Sequence, residues 1–197
     1  MVRIGIILLV VSCILGFTTY KEWRLVRASS GDPEEITLKA LIVRGPKGNP
    51  NIILTEFYAC DNIVYEEARH SKNWAKVWVP IIPPDEAALA EKRGVPSQNI
   101  QAIILSTHAK DGQQLEVVLG KPKIRAMVTN EIQSLGSKEK SLLRQTYGGT
   151  DMDKWIIIEE GREPAGSNKL FLMGGGSGVL GVAGAVLLLL GLVRKKS

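Results

Sequence analysis

The chain has two textures. Residues 4–19 and 170–193 carry no charged side chain, whereas the stretch between them mixes apolar and charged positions at short range. Leu170 to Val193 is 24 residues. As a helix that is about 36 Å, enough to cross a bilayer core with some tilt. Ile4 to Thr19 is 16 residues, about 24 Å, and reaches spanning length once Val2, a snorkelling Arg3 and an interfacial Tyr20 are added. Tyr20, Lys21 and Trp23 then stand where amphipathic side chains mark the water interface. A cleaved signal peptide with Arg3 as its n-region is the competing reading. No A-x-A-like site follows Phe17, and Val10-Val11-Ser12-Cys13, which has the form of a lipobox, runs on into the apolar Ile14–Phe17. An uncleaved anchor is therefore expected.

This divides the chain into an anchor over residues 1–23, one domain over 24–168, and a transmembrane helix with a basic tail over 169–197. Arg194-Lys195-Lys196 flanks the second span, and such a cluster marks the cytoplasmic side. With two spans, both termini are expected in the cytoplasm and the central domain outside it. The chain holds no N-x-[ST] acceptor, which favours a bacterial inner membrane over a eukaryotic secretory membrane.

Helix signals in the middle are Ser30–Glu35 leading into Ile36–Arg44, Pro84-Asp85-Glu86 opening a helix to Arg93, and Ser137 capping Lys138–Tyr147. Gly45, Gly94 and Gly148-Gly149 serve as stops. Runs rich in β-branched and aromatic residues cover 51–57, 63–66, 75–82, 100–107, 114–119, 124–129 and 154–159, with Asp111-Gly112 as a hairpin turn before the fifth. Seven strands and about three helices without regular alternation predict an α+β domain around a mostly antiparallel sheet.

Charge changes the picture once. The 25 Lys and Arg exceed the 20 Asp and Glu by five. Four of the basic residues, Arg3, Arg194, Lys195 and Lys196, flank the apolar ends, so the middle is nearly neutral. A nucleic-acid footprint needs the excess on the folded part, and nucleic acid is excluded as a partner.

The candidate chemistry is sparse. Cys60 is the one cysteine outside the spans, and His70 and His108 are the only histidines. A thiol nucleophile would need one of these imidazoles beside it; a buried, inert thiol is the alternative. No zinc motif, nucleophile elbow or P-loop occurs, and no metal or cofactor is called for. Gly176-Ser177-Gly178-Val179-Leu180-Gly181 matches G-x-G-x-x-G but lies within the apolar stretch, with no acidic residue after it. Helix packing in lipid accounts for it better: Ser177, Gly181 and Ala185 recur every four residues as a face for a second helix, in a homo-oligomer or a membrane partner. Strand alternation places Trp74, Lys76 and Trp78 on one face, which reads as buried core or as an aromatic binding surface.

These features predict a non-enzymatic role: an exported domain, anchored at both ends, acting as a scaffold, assembly or accessory subunit through protein–protein contact. An envelope enzyme using Cys60 with His70 or His108, and a ligand-sensing exported domain, are the alternatives.

Overall fold

The computed structural model describes residues 2–93, 99–130, 134–147 and 151–194. The chain forms two compact units, one from residues 1–27 with 165–197 and the other from residues 28–164. The stops Gly94, Gly148 and Gly149 and the tail residues Lys195 and Lys196 lie outside the described residues.

The first unit is a pair of helices, α1 (Val2–Ala28) and α6 (Ser167–Arg194). Both are long and apolar enough to cross a membrane, and little of either is covered by protein. They run antiparallel, because Val2 meets Gly191, Gly5 meets Gly184, and Thr19 meets Gly174.

The second unit is an eight-stranded mixed sheet with helices on both faces. Its strands are β1 (Glu34–Thr37), β2 (Asn51–Thr55), β3 (Tyr58–Ala59), β4 (Val64–Glu67), β5 (Trp74–Ile82), β6 (Ala102–Ser106), β7 (Lys123–Val128) and β8 (Ile156–Glu160). The order is β1-β2-β7-β8-β6-β5-β3, with β4 also paired to β5. β1–β2 and β6–β8 are parallel and the other pairings antiparallel. β6, with all five residues buried, reads as the uninterrupted apolar run expected of a strand covered on both sides. On one face Ile52, Leu54, Val79, Ile104 and Ala126 pack with α2 (Leu38–Arg44) and α4 (Gly112–Leu119). On the other, Trp78, Ile103, Leu105 and Ile157 pack with α5 (Ser137–Thr146), and α3 (Pro84–Arg93) touches this core through Ala87.

Three expectations need correction. Residues 114–119 are helix, not strand. Asp111 is the N-cap of α4, its carboxylate accepting from the Gln114 amide at 2.8 Å, while Gln114 Oε1 accepts from the Lys110 amide at 3.0 Å. This resembles a capping box, with the return bond made to the residue before the cap instead of to the cap itself, and the apparent hairpin turn Asp111-Gly112 is its first half. Leu115 and Val118 are buried while Val117 is 66% exposed, which is helical periodicity. Second, residues 34–37 form a strand before the helix. Thr37, whose Oγ1 accepts from the Ala40 amide, is the cap in place of the earlier serine. Third, among the described residues the domain carries four α-helices, on two faces of the sheet, where about three were expected; the sheet itself is mostly antiparallel as expected, five of its seven pairings running that way.

Candidate functional site

An open groove of about 660 Å³ lies between β4 and α5. One wall is the run of residues 62–67; the other is Lys138, Leu142, Leu143, Thr146 and Tyr147. β4 forms the edge of the sheet here, since β5 is its one strand partner among the described residues. Leu143 and Tyr147 are buried in the core beneath, while Leu142 is 41% exposed. The two walls match in length: five residue steps of extended chain and nine of helix each cover roughly 15 Å.

Cys60 stands at one end of this groove. Its amide donates to Pro80 O at 2.9 Å, continuing the β3–β5 pairing, and its half-buried side chain packs against the core that holds Tyr147. Tyr147 Oη donates to Asn62 O at 3.3 Å. Burial pushes the Cys60 thiol up to about 11, and a hydrogen bond with Tyr147 opposes this only in part. Burial also drives the Tyr147 phenol upward, with Cys60 adding to the shift. Both groups are therefore protonated at neutral pH. A thiol nucleophile needs the opposite shift.

Neither histidine joins Cys60. Cys60 is in register with Pro80 of β5, and His70 lies in the turn before Trp74, about 20 Å away along that strand. Pro80 pairs with Ile103 on β6, three residues before Ser106. His108 follows Ser106 and meets Glu160 of β8, on the far side of β6. Two strand spacings and several residues separate it from Cys60, well over 10 Å.

His108 belongs instead to a cluster that the sequence did not show. Ser106, fully buried, donates to Glu160 Oε2 at 2.9 Å and accepts from the amides of His108 at 3.3 Å and Ala109 at 3.2 Å. His108 Nδ1 lies 3.3 Å from the same Glu160 oxygen, and the ring covers Gly161, whose φ is +68°. The carboxylate sits between serine and imidazole. In a catalytic triad the imidazole sits between serine and carboxylate. With the hydroxyl committed to three partners, this arrangement ties the loop after β6 to the end of β8.

Trp74 and Trp78 do not share a face. Glu66 opposes Lys76 but Glu67 opposes Trp74, so Ala75 is an extra residue in a bulge. The bulge sends Trp74 to the α2–α4 side, stacked on Tyr65 with ring centroids 4.9 Å apart, while Trp78 is buried on the α5 side. An aromatic surface built from both is thereby corrected.

In the helix pair, Ser177 and Gly181 do face a second helix, and it is α1 of the same chain. Ser12 Oγ donates to Ser177 O at 2.7 Å and lies against Gly181. Ala185 is exposed, and Gly184 is buried in its place against Gly5 and Leu9. The contacts follow 174, 177, 181, 184, 188 and 191, the alternating three- and four-residue spacing of a coiled-coil seam.

No family model, curated protein or solved structure matches this chain.

Proposed function

We propose that the chain is a membrane-anchored scaffold or accessory subunit. The helix pair holds it in the bilayer, and the sheet unit engages another protein through the β4–α5 groove. The observation that carries this reading is the groove itself, an open cleft of about 660 Å³ beside a sheet edge that no described strand covers. Unpaired strand edges are common sites of protein association. The chemistry at its end supports binding over catalysis, since Cys60 and Tyr147 are held protonated and no imidazole stands by them.

The proposal places both termini in the cytoplasm of a bacterial inner membrane and the sheet unit outside. Antiparallel helices put the two termini on one side of a bilayer, and Arg194-Lys195-Lys196 is the densest basic cluster flanking either span. Lys and Arg number four at each end: Arg3, Arg194, Lys195 and Lys196 against Lys21, Arg24, Arg27 and Lys169. Orientation therefore rests on the density of the tail. It is tested with a Lys72→Cys probe in a Cys13→Ser, Cys60→Ser background, because Cys60 itself is too buried to label quickly. Labelling by an impermeant maleimide before the inner membrane is breached is expected; labelling only afterwards reverses the orientation.

The binding role is tested by placing a photo-crosslinking residue at Leu142 in the groove and, as a control, at the exposed Val117 of α4 on the opposite face. Discrete adducts from Leu142 and none from Val117 are expected. A chain present in the membrane that gives no adduct from Leu142 refutes the reading.

A further inference from the structure

The groove also limits what can occupy it, an inference that rests on the binding role proposed above. One wall is extended backbone and the other is one face of a helix, running antiparallel: Tyr147, at the end of α5, meets Asn62 at the start of the strand wall. A strand paired on one side presents alternate N–H and C=O groups on the other. At a length of roughly 15 Å, the space accommodates about five residues of extended chain. Such a segment can hydrogen-bond to β4 while its alternate side chains pack against Leu142 and Val64.

Charge narrows the occupant further. Lys138, at the start of α5, faces the far end of the strand wall, where Glu66 and Glu67 are adjacent. Lys76 approaches Glu66 at 4.0 Å. Glu67 forms no ion pair among the described residues, and both carboxylates stand in exposed positions. A second copy of this chain pairing edge to edge supplies no cation there: in parallel register it sets its own Glu66 and Glu67 beside these, where like charges repel, and antiparallel along residues 62–67 it sets the uncharged Asn62–Tyr65 stretch opposite them. We infer that the groove takes an extended segment of a different protein, added to β4 as a further strand, with apolar residues at alternate positions and a Lys or Arg toward Glu66 and Glu67.

The test uses the full chain in nanodiscs and acetylated, amidated, fluorescein-labelled seven-residue peptide pools in which one position at a time is fixed. Pools with Lys or Arg fixed near one end, and with Val or Ile at alternate positions, are expected to bind about tenfold better than the mean pool. In the Glu66→Lys, Glu67→Lys double variant the end preference should invert to Asp and Glu. In the best peptide, N-methylation of alternate residues should cost at least about tenfold and methylation of the intervening residues little, since only alternate amides face β4. Leu142→Glu, an exposed change that leaves β4 intact, should weaken every pool. A flat profile, an end preference indifferent to the charge reversal, or methylation effects without a two-residue period would each overturn the inference. If Leu142 still gives crosslinked adducts in cells under any of those outcomes, the binding role stands and only the strand-addition mode falls. If those adducts are also absent, both fall.

Discussion

Gly5 is the position where the helix pair is most easily broken. A Cβ built there lies 2.9 Å from both Gly184 O and Leu188 N, and one built on Gly184 lies 3.0 Å from Gly5 O and from Leu9 N. These neighbours are largely backbone and cannot rotate aside. Carbon contacts settle at about 3.5–4.0 Å, so Gly5→Ala must push the axes apart by roughly 0.6–1 Å. That loosens contacts along the whole seam. Overpacking of this kind costs about 1–3 kcal/mol. Ser12→Ala, by contrast, deletes the 2.7 Å hydrogen bond to Ser177 O, and interhelical hydrogen bonds in membranes average only about 0.6 kcal/mol. Adding one methyl group should therefore harm the pair more than removing the Ser12–Ser177 hydrogen bond. Gly16→Ala is the control, because nothing lies within 4 Å of a Cβ there; it reports helix propensity alone. Steric trapping in lipid gives the free energy of separation directly. Biotin labels at Lys21→Cys and Asn168→Cys, in a Cys13→Ser, Cys60→Ser background, let a second streptavidin bind only when the helices part. The expected order of loss is Gly5→Ala, then Ser12→Ala, then Gly16→Ala near zero. If Gly5→Ala and Gly16→Ala were alike, or if Ser12→Ala were the worst, close backbone approach would not be what holds the pair.

Other outcomes follow from the sheet unit. Asp111→Ala removes the cap of α4 and should cost about 1 kcal/mol, read as a fall in Tm of roughly 2–4 °C by circular dichroism of the full chain in micelles; an unchanged Tm would leave the cap without weight. Gly161→Ala imposes a side chain at φ +68° and 2.9 Å from His108 Cε1. It should cost at least about 1–2 kcal/mol, and less when His108→Ala removes the ring, so additivity of the two changes would refute the contact. Cys60, with its thiol pushed to about 11, should react slowly with iodoacetamide at pH 8 and faster as pH climbs toward 11. Tyr147→Phe, which removes the hydrogen bond that lowers this value, should move the profile further up; a profile centred below 9 would show an activated thiol. Because the folded thiol ionises later than an unfolded one near 9, its contribution to stability is intact below pH 9 and is lost as pH rises through about 11.

What the sequence made legible depended on how far apart the determining residues lie. α3 announces itself within a few positions through Pro84-Asp85-Glu86, whereas Ser137, expected to cap α5, is its first helical residue, and the N-cap is Gly136, which has no side chain to cap with. The buried strand β6 is visible as one unbroken apolar run. The Asp111…Gln114 box was equally local, but Leu115, Val117 and Leu119 also alternate as a strand would, and the Asp-Gly pair before them has hairpin chemistry. Only the opposite exposures of Leu115 and Val117, which a strand would set on one face, separate the two patterns. The Ser106–Glu160 bond spans 54 positions and the Tyr147–Asn62 bond 85, and nothing in the neighbourhood of either residue indicates a partner. The groove is built from such a pair of distant segments, so it could not be read in advance.

The helix seam was half legible, and the reason is angular. Steps of four residues advance 400°, so Ser177, Gly181 and Ala185 drift by about 40° at each step and leave a straight line of contact after two. Alternating steps of three and four advance 700° in two turns, a drift of only about 20° the other way, which a slight supercoil absorbs. Gly174, Ser177, Gly181, Gly184, Leu188 and Gly191 keep to that rule, and so do Val2, Gly5, Leu9, Ser12 and Thr19 on the facing helix, with Gly16 in step between the last two. Two stripes in the same chain with the same spacing are a stronger signal than either one alone. Glycines on one stripe meet Val2, Leu9, Ser12 and Thr19 on the other, and only at Gly5 and Gly184 do two glycines meet, which is why the pair closes to backbone contact there and leaves Ala185 on the outer surface.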